Sequence, residues 1–193
     1  MEISVDQKEM KLQLRQKTAM PLLWIGIVSI VMFFAALTSA VIVSKSSGNW
    51  QLFKMPITFL YSTITIVLSS VSYWFAIKAA KNNQLTALKN GVLLTLLFGV
   101  LFAVLQFVSW SRLLDQEIFL VGSVSGSYLY VLTAFHLAHL TGGIISLIVV
   151  YIKSISSVYN SENLLGLQLS STYWHFLGGL WVYLYLFLNF IAL

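Results

Sequence analysis

The chain has 193 residues, 59% of them hydrophobic and only 9% charged, against roughly 25% charged in a soluble globular domain, which excludes an ordinary soluble fold. It has no cysteine, so disulfides and thiolate metal sites are excluded. The formal charge of +5 comes from basic residues that flank apolar runs, an arrangement that belongs to membrane topology and not to a nucleic-acid partner.

Residues 1–20 form a polar, basic tail with Lys8, Lys11, Arg15 and Lys17. The apolar run behind it is too long for a signal-peptide core, and no small-residue cleavage site follows promptly. The tail is expected to be partly helical and to lie at the cytoplasmic membrane surface. Residues 21–193 are expected to form one transmembrane domain of five helices, at about 21–43, 57–77, 91–110, 125–152 and 172–193. Each has about 20 residues or more, enough to cross a hydrocarbon core of roughly 30 Å at 1.5 Å per residue. No segment alternates apolar and polar residues as a barrel strand would. The fold class is therefore all-α, a polytopic five-helix bundle. Pro21 suits the first turn of the first helix, where its missing N–H costs nothing. The fourth span is longer than needed, which implies tilt or projection beyond the lipid.

Orientation follows from Lys and Arg in the short flanks. The tail, the second loop (Lys78, Lys81, Lys89) and the fourth loop (Lys153) share one side; Lys45, Lys54 and Arg112 lie on the other. The richer side is expected to be cytoplasmic, with the N-terminus inside and the C-terminus periplasmic. Trp24, Trp50, Trp110 and Trp174 fall near predicted span ends, as interfacial anchors do.

Small or polar residues recur at heptad-like spacing and mark expected contact faces. In the first span these are Gly26, Ser29, Phe33, Ala36 and Ala40; in the second, Ser62, Thr65, Ser69 and Ser72. The third has Thr95, Gly99, Phe102 and Gln106; the fifth has Thr172, His175, Gly179 and Asn189. No internal repeat or Gly/Pro-broken span points to an inverted-repeat transporter.

All six acidic residues lie in the tail or loops. Proton relays and voltage sensors carry charge inside the membrane, so a pump, antiporter or sensor is disfavoured. The three histidines, His136, His139 and His175, all fall within spans. His136 and His139 are three apart, on one helix face. One reading is a metal or haem site; another is a lipid-headgroup or quinone contact; the third is a polar pair hydrogen-bonded to neighbouring helices. With the predicted boundaries, His139 is about 20 Å from the outer end of its helix and His175 only about 5 Å deep from the other side. That separation favours the third reading, with no catalytic, cofactor or metal residue in this chain.

Two stretches carry a resemblance. Phe135-His136-x-x-His139 followed by Gly142-Gly143, and Tyr173-Trp174-His175-Phe176 with Trp181 beyond, resemble the two best-known signatures of subunit III of haem–copper terminal oxidases. Gly126-Ser127-Tyr128 ahead of the first motif, Ser69-Ser70, Gly99-x-x-Phe102-x-x-x-Gln106 and Ser29-Ile30-Val31-Met32-Phe33-Phe34 are also similar to family patterns, so the resemblance covers all five spans in order. Five spans with the N-terminus inside is the short form seen in bacterial quinol oxidases.

The resemblance implies a non-redox subunit of a complex that reduces oxygen to water with electrons from cytochrome c or quinol. Haem and copper would sit in partner subunits. The partners would be subunit I above all, subunit II, a small subunit IV, membrane phospholipid and a respiratory supercomplex, in the bacterial inner membrane. His136, His139, His175, Gln106, Tyr173 and Trp174 would be structural hydrogen-bonding or lipid-contact residues. The family's intramembrane acids are replaced here by Ile30, Ser109 and Gly178, which sets its support of proton uptake apart from its structural role. The alternatives are a subunit III-like accessory protein of a nitric oxide reductase system, and a stand-alone transporter or haem-binding membrane protein.

Overall fold

The computed structural model describes residues 2–46, 50–51, 54–156 and 164–192; for 2–16 and 192 it describes the backbone alone. Five helices follow in order: α1 (Glu2–Lys45), α2 (Thr58–Lys81), α3 (Leu85–Asp115), α4 (Val124–Ile155) and α5 (Leu165–Ala192). Each is long and apolar enough to cross a membrane, and among the described residues there is no strand. The all-α, five-span architecture is as expected.

The connections explain where the helices stop. Asn83 after α2 and Glu117 after α3 both take a left-handed backbone, φ 56° and 59°. In each case an amide three residues beyond the helix reaches back five residues, Gln84 N to Ala79 O at 2.9 Å and Ile118 N to Leu113 O at 3.0 Å. These bonds satisfy carbonyls that a helix end would otherwise leave unpaired. At the start of α4, the Ser123 side chain accepts from the Gly126 amide at 3.1 Å, an N-cap that does the same for an orphan donor.

Helices α2 to α5 form a closed ring. α2 packs on α3, α3 on α4, α4 on α5, and α5 returns to α2. The α2–α3 contact is the closest: a Cβ built on Gly91 would come within 2.7 Å of Ala76 Cβ, and Ser72 donates to the Gly91 carbonyl at 3.1 Å. Small residues give this backbone approach, which lets van der Waals contact hold helices together where lipid removes the hydrophobic drive.

α1 stands outside the ring and, among the described residues, packs on α4 and α5 and on no other helix. Near its C-terminal end Lys45 Nζ donates to Ile191 O at 3.0 Å, and Ser44 shares a hydrogen bond with Tyr128 at 2.9 Å. Further along, Tyr183 donates to Thr38 at 3.3 Å. The helix runs unbroken from the tail into the span, so Pro21 lies inside it and not in the first turn. Proline there removes the donor that the Lys17 carbonyl would otherwise receive.

Two of the four expected contact faces are the buried ones. Ser62, Thr65, Ser69 and Ser72 of α2 are buried, as are Thr95, Gly99, Phe102 and Gln106 of α3. The other two are corrected. α1 buries Ile27, Phe34, Thr38 and Val41, while Gly26, Ser29, Phe33 and Ala36 face outward. With neighbours on one side only, α1 gains most by burying its bulkier stripe. α5 buries Leu167, Trp174, Leu177, Trp181, Leu184 and Leu188, and exposes Gly179. It faces the cavity of the ring, which large side chains must fill.

The fifth helix begins at Leu165, seven residues before the predicted start. His175 is then about 15 Å along the helix, two turns deeper than expected. Residues 157–163, Glu162 among them, lie outside the described residues, while Lys153, expected in the fourth loop, is in the last turn of α4.

Candidate functional site

The bundle is organised by two tryptophans of α5 spaced two turns apart. Both are fully buried. The Trp174 indole N–H donates to Ser69 Oγ on α2 at 2.9 Å. Its six-membered ring lies against Gly99 of α3, where a built Cβ would sit 2.6 Å from Cη2, and against Gly143 of α4, where a Cβ would sit 3.1 Å from Cε3. One side chain thus touches three other helices of the ring. Ser69 passes the interaction on by donating to Thr95 O on α3 at 3.2 Å. The expectation that Trp174 anchors at the membrane interface is therefore corrected: misplacing the start of α5 made an interior residue look terminal.

Trp181 repeats the arrangement nearer the other membrane face. Its N–H donates to Thr63 on α2 at 3.0 Å, and its ring packs on Phe59 of α2, Phe102 of α3 and His136 of α4, with centroids 6.2, 5.0 and 5.1 Å away. Gln106, fully buried, ties α3 to α2 by donating from Nε2 to Ser62 Oγ at 3.0 Å. Tyr173 ties α5 to α4 by donating to His139 O at 3.1 Å. Gln106, Tyr173 and Trp174 are the predicted site residues that the fold uses as hydrogen-bonded ties.

The histidines are placed differently. Trp174 packs on Gly143, one turn from His139 or about 6 Å along the axis, so depth does not separate His175 from His139 as expected. Direction does. His136 points into the core between Phe102 and Trp181. His139 lies against Phe33 and Phe34 of α1, its Nδ1 2.7 Å from Phe135 O in its own helix. His175 packs beside Tyr73 of α2 on the outer side of the α2–α5 contact and lines a groove there. Among the described residues no three His, Asp or Glu side chains come together as a metal site would require.

His136 does not form the interhelical hydrogen bond expected of it. It is fully buried, and neither ring nitrogen has a partner among the described residues. A buried polar group left unpaired costs about 1–3 kcal/mol, whereas an apolar replacement of similar shape can be neutral or stabilising. His136→Leu is therefore expected to leave the thermal stability of the purified protein unchanged or slightly raised. A clear drop in melting temperature would mean that the imidazole is bonded and helps hold the core.

The three positions at which the resemblance implies acids hold structural residues here. Ser109 donates to Thr58 on α2 at 2.7 Å, making a further α2–α3 tie. Gly178 faces α2, where a Cβ would come 3.0 Å from Ser70 Oγ, so a side chain there would have to push that hydroxyl aside. Ile30 packs against the apolar core.

A second groove, about 430 Å³ in volume, opens between the C-terminal end of α4 and the N-terminal end of α5, bordered by Leu23 of α1. Ser146, Lys153, Ser170 and Tyr173 line it among apolar side chains. The Ser170 hydroxyl is buried and has no partner among the described residues. Sequence reading missed Ser170, whose only signal was a serine pair, Ser170-Ser171, just before a helix assigned too short.

The family model for cytochrome c oxidase subunit III matches residues 22–192. Among similar proteins, cytochrome c oxidase subunit 3 of Corynebacterium diphtheriae is 28% identical over 168 residues, covering 83% of this chain and 82% of the relative. Cytochrome c oxidase subunit 3 of the moth Spodoptera frugiperda is 27% identical over 127 residues, 66% of this chain and 84% of the relative. The matched segment contains all of α2, α3, α4 and α5 and the membrane part of α1. The tryptophan, glycine and histidine residues described above fall within it, and the match does not favour a nitric oxide reductase accessory protein or a stand-alone transporter. This multi-pass membrane chain belongs to the cytochrome c oxidase subunit III family, and its role is that of subunit III in a respiratory haem–copper oxidase complex.

Proposed function

We propose that this chain is a non-redox subunit that packs against catalytic subunit I in the bacterial inner membrane and stabilises the oxygen-reducing complex. Haem and copper belong to partner subunits, with subunit II and a small subunit IV as further neighbours. The family match across residues 22–192 carries this reading. The design of the bundle supports it. Its interior is committed to packing and helix ties, and α1 turns Gly26, Ser29, Phe33 and Ala36 outward, a face on which another membrane helix can approach closely.

Lipid holding is part of the proposal. The α4–α5 groove combines apolar walls with Lys153 and the Ser170 hydroxyl, a pairing suited to an acyl chain with a phosphate headgroup. Lys78, Lys81, Lys89 and Lys153 would then face the cytoplasm with the 1–20 tail, and the C-terminus would face the periplasm. Gln106, Tyr173 and Trp174 act structurally; His139 and His175 are lipid-side or packing residues. Direct support of proton uptake by intramembrane acids is not proposed, since those positions are Ile30, Ser109 and Gly178.

Deleting the gene and measuring assembled oxidase in membranes tests the role. The expected result is less assembled haem–copper oxidase and lower oxygen uptake, both restored by the full chain. Normal assembly, lipid content and turnover stability without it would overturn the role.

A further inference from the structure

We infer that the outer groove between α2 and α5 holds one anionic phospholipid, its headgroup at Lys78 and one acyl chain lying along the groove. This rests on the lipid-holding reading above but concerns a separate site on the other side of α5.

The groove, about 410 Å³, is walled by Ile66, Val71 and Trp74 of α2 and by His175, Gly178 and Gly179 of α5. Gly178 forms a floor that cannot bear a side chain without meeting Ser70. A Cβ on Gly179 would meet nothing within 4 Å, so the groove is open above it. At its upper end Trp74 carries the Lys78 ammonium over its ring, 5.7 Å from the centroid. The segment from Thr58 to Leu114 contains four basic residues, Lys78, Lys81, Lys89 and Arg112, and no Asp or Glu; the three lysines cluster at this end. The charge there complements a phosphate.

Length selects a lipid over a partner helix. Lys78 to Ile66 is about 18 Å along α2, close to the depth of a single leaflet of a roughly 30 Å core. A transmembrane partner would be expected to continue its contact through the second leaflet. The groove instead starts at Trp74, beneath the Lys78 ammonium, and ends at Ile66 and Val182. His175 packs beside Tyr73, about 7.5 Å below Lys78 along the axis. That is the depth at which an imidazole N–H can donate to a glycerol-ester carbonyl when the phosphate sits at the lysine.

The test uses the complex purified in mild detergent, or whatever assembly carries the chain, placed in nanodiscs of phosphatidylglycerol and phosphatidylcholine. Retained lipids are counted by native mass spectrometry. Gly179→Leu fills the groove without a clash in the bundle and is expected to remove one retained phospholipid. Lys78→Gln is expected to lower the preference for phosphatidylglycerol about fivefold. Wild-type lipid counts and preference in both variants would overturn the proposal. So would cross-linking of Val182→Cys to a partner subunit's helix with the lipid count unmoved by Gly179→Leu. Loss of oxidase co-purification would sink the partner reading instead, and the lipid count would still report on the groove.

Discussion

Trp174→Ala is expected to destabilise the bundle by about 3–5 kcal/mol, the range for truncating a buried tryptophan. The upper end is favoured because the surroundings cannot collapse into the gap. Two of its walls are Gly99 and Gly143, which have no side chains to swing in, and those glycines lie on different helices. The substitution also removes the indole donor to Ser69, leaving that hydroxyl without its α5 partner in a buried setting. Thermal unfolding of the tagged chain, followed by fluorescence-detected size exclusion in mild detergent, reads the effect. Trp174→Phe keeps part of the ring and should fall between wild type and alanine. An alanine variant as stable as wild type would show that the ring is held closed by other contacts.

The second large effect is at Gly99. Even alanine would place Cβ 2.6 Å from Trp174 Cη2 and 3.0 Å from Cζ2, inside any tolerable contact distance. Overpacking of this kind costs about 1–3 kcal/mol, and Gly99→Leu should prevent assembly of the bundle. The mechanism has a distinguishing signature. Cη2 and Cζ2 belong to the outer ring of the indole, so Gly99→Ala should be much less costly in a Trp174→Phe background. The double-mutant cycle isolates that coupling. Equal costs in the two backgrounds would place the role of Gly99 elsewhere, such as in helix geometry.

Much of this was legible in the sequence, for identifiable reasons. Spans of apolar residues are set by bilayer thickness, so five helices could be counted without any coordinates. The α2 and α3 contact faces were readable because both helices cross at close range, where small residues and hydroxyls are selected. Ser69, Thr95, Gly99 and Gln106 all sit where that rule puts them. The same rule failed for α1 and α5. α5 is one wall of the ring and turns Trp174 and Trp181 into its middle, while α1, with neighbours on one side, buries Phe34 and Val41 and leaves its small residues out.

The site was read less completely. Residues 165–171, Leu-Gly-Leu-Gln-Leu-Ser-Ser, look like a loop because Gly166, Gln168 and two serines interrupt the apolar run. They are the first two turns of α5, and tertiary packing overrides the local preference. That error moved His175 toward the membrane surface and made Trp174 look like an interfacial anchor. The side to which each histidine points was also beyond the sequence. A spacing of three puts His136 and His139 on neighbouring parts of one face, and only the placement of α1 and the ring decides that one enters the core and the other meets Phe34.

The most direct measurement is a mild-detergent pull-down through a tag on the N-terminus, with a visible spectrum, oxygen uptake and subunit mass spectrometry of the product. A large haem–copper subunit should co-purify with this chain, with haem absorbance and oxygen consumption that belong to the complex. A chain that emerges alone and colourless would contradict its place as an oxidase subunit, and one that emerges alone but carries haem would contradict the structural reading of the histidines.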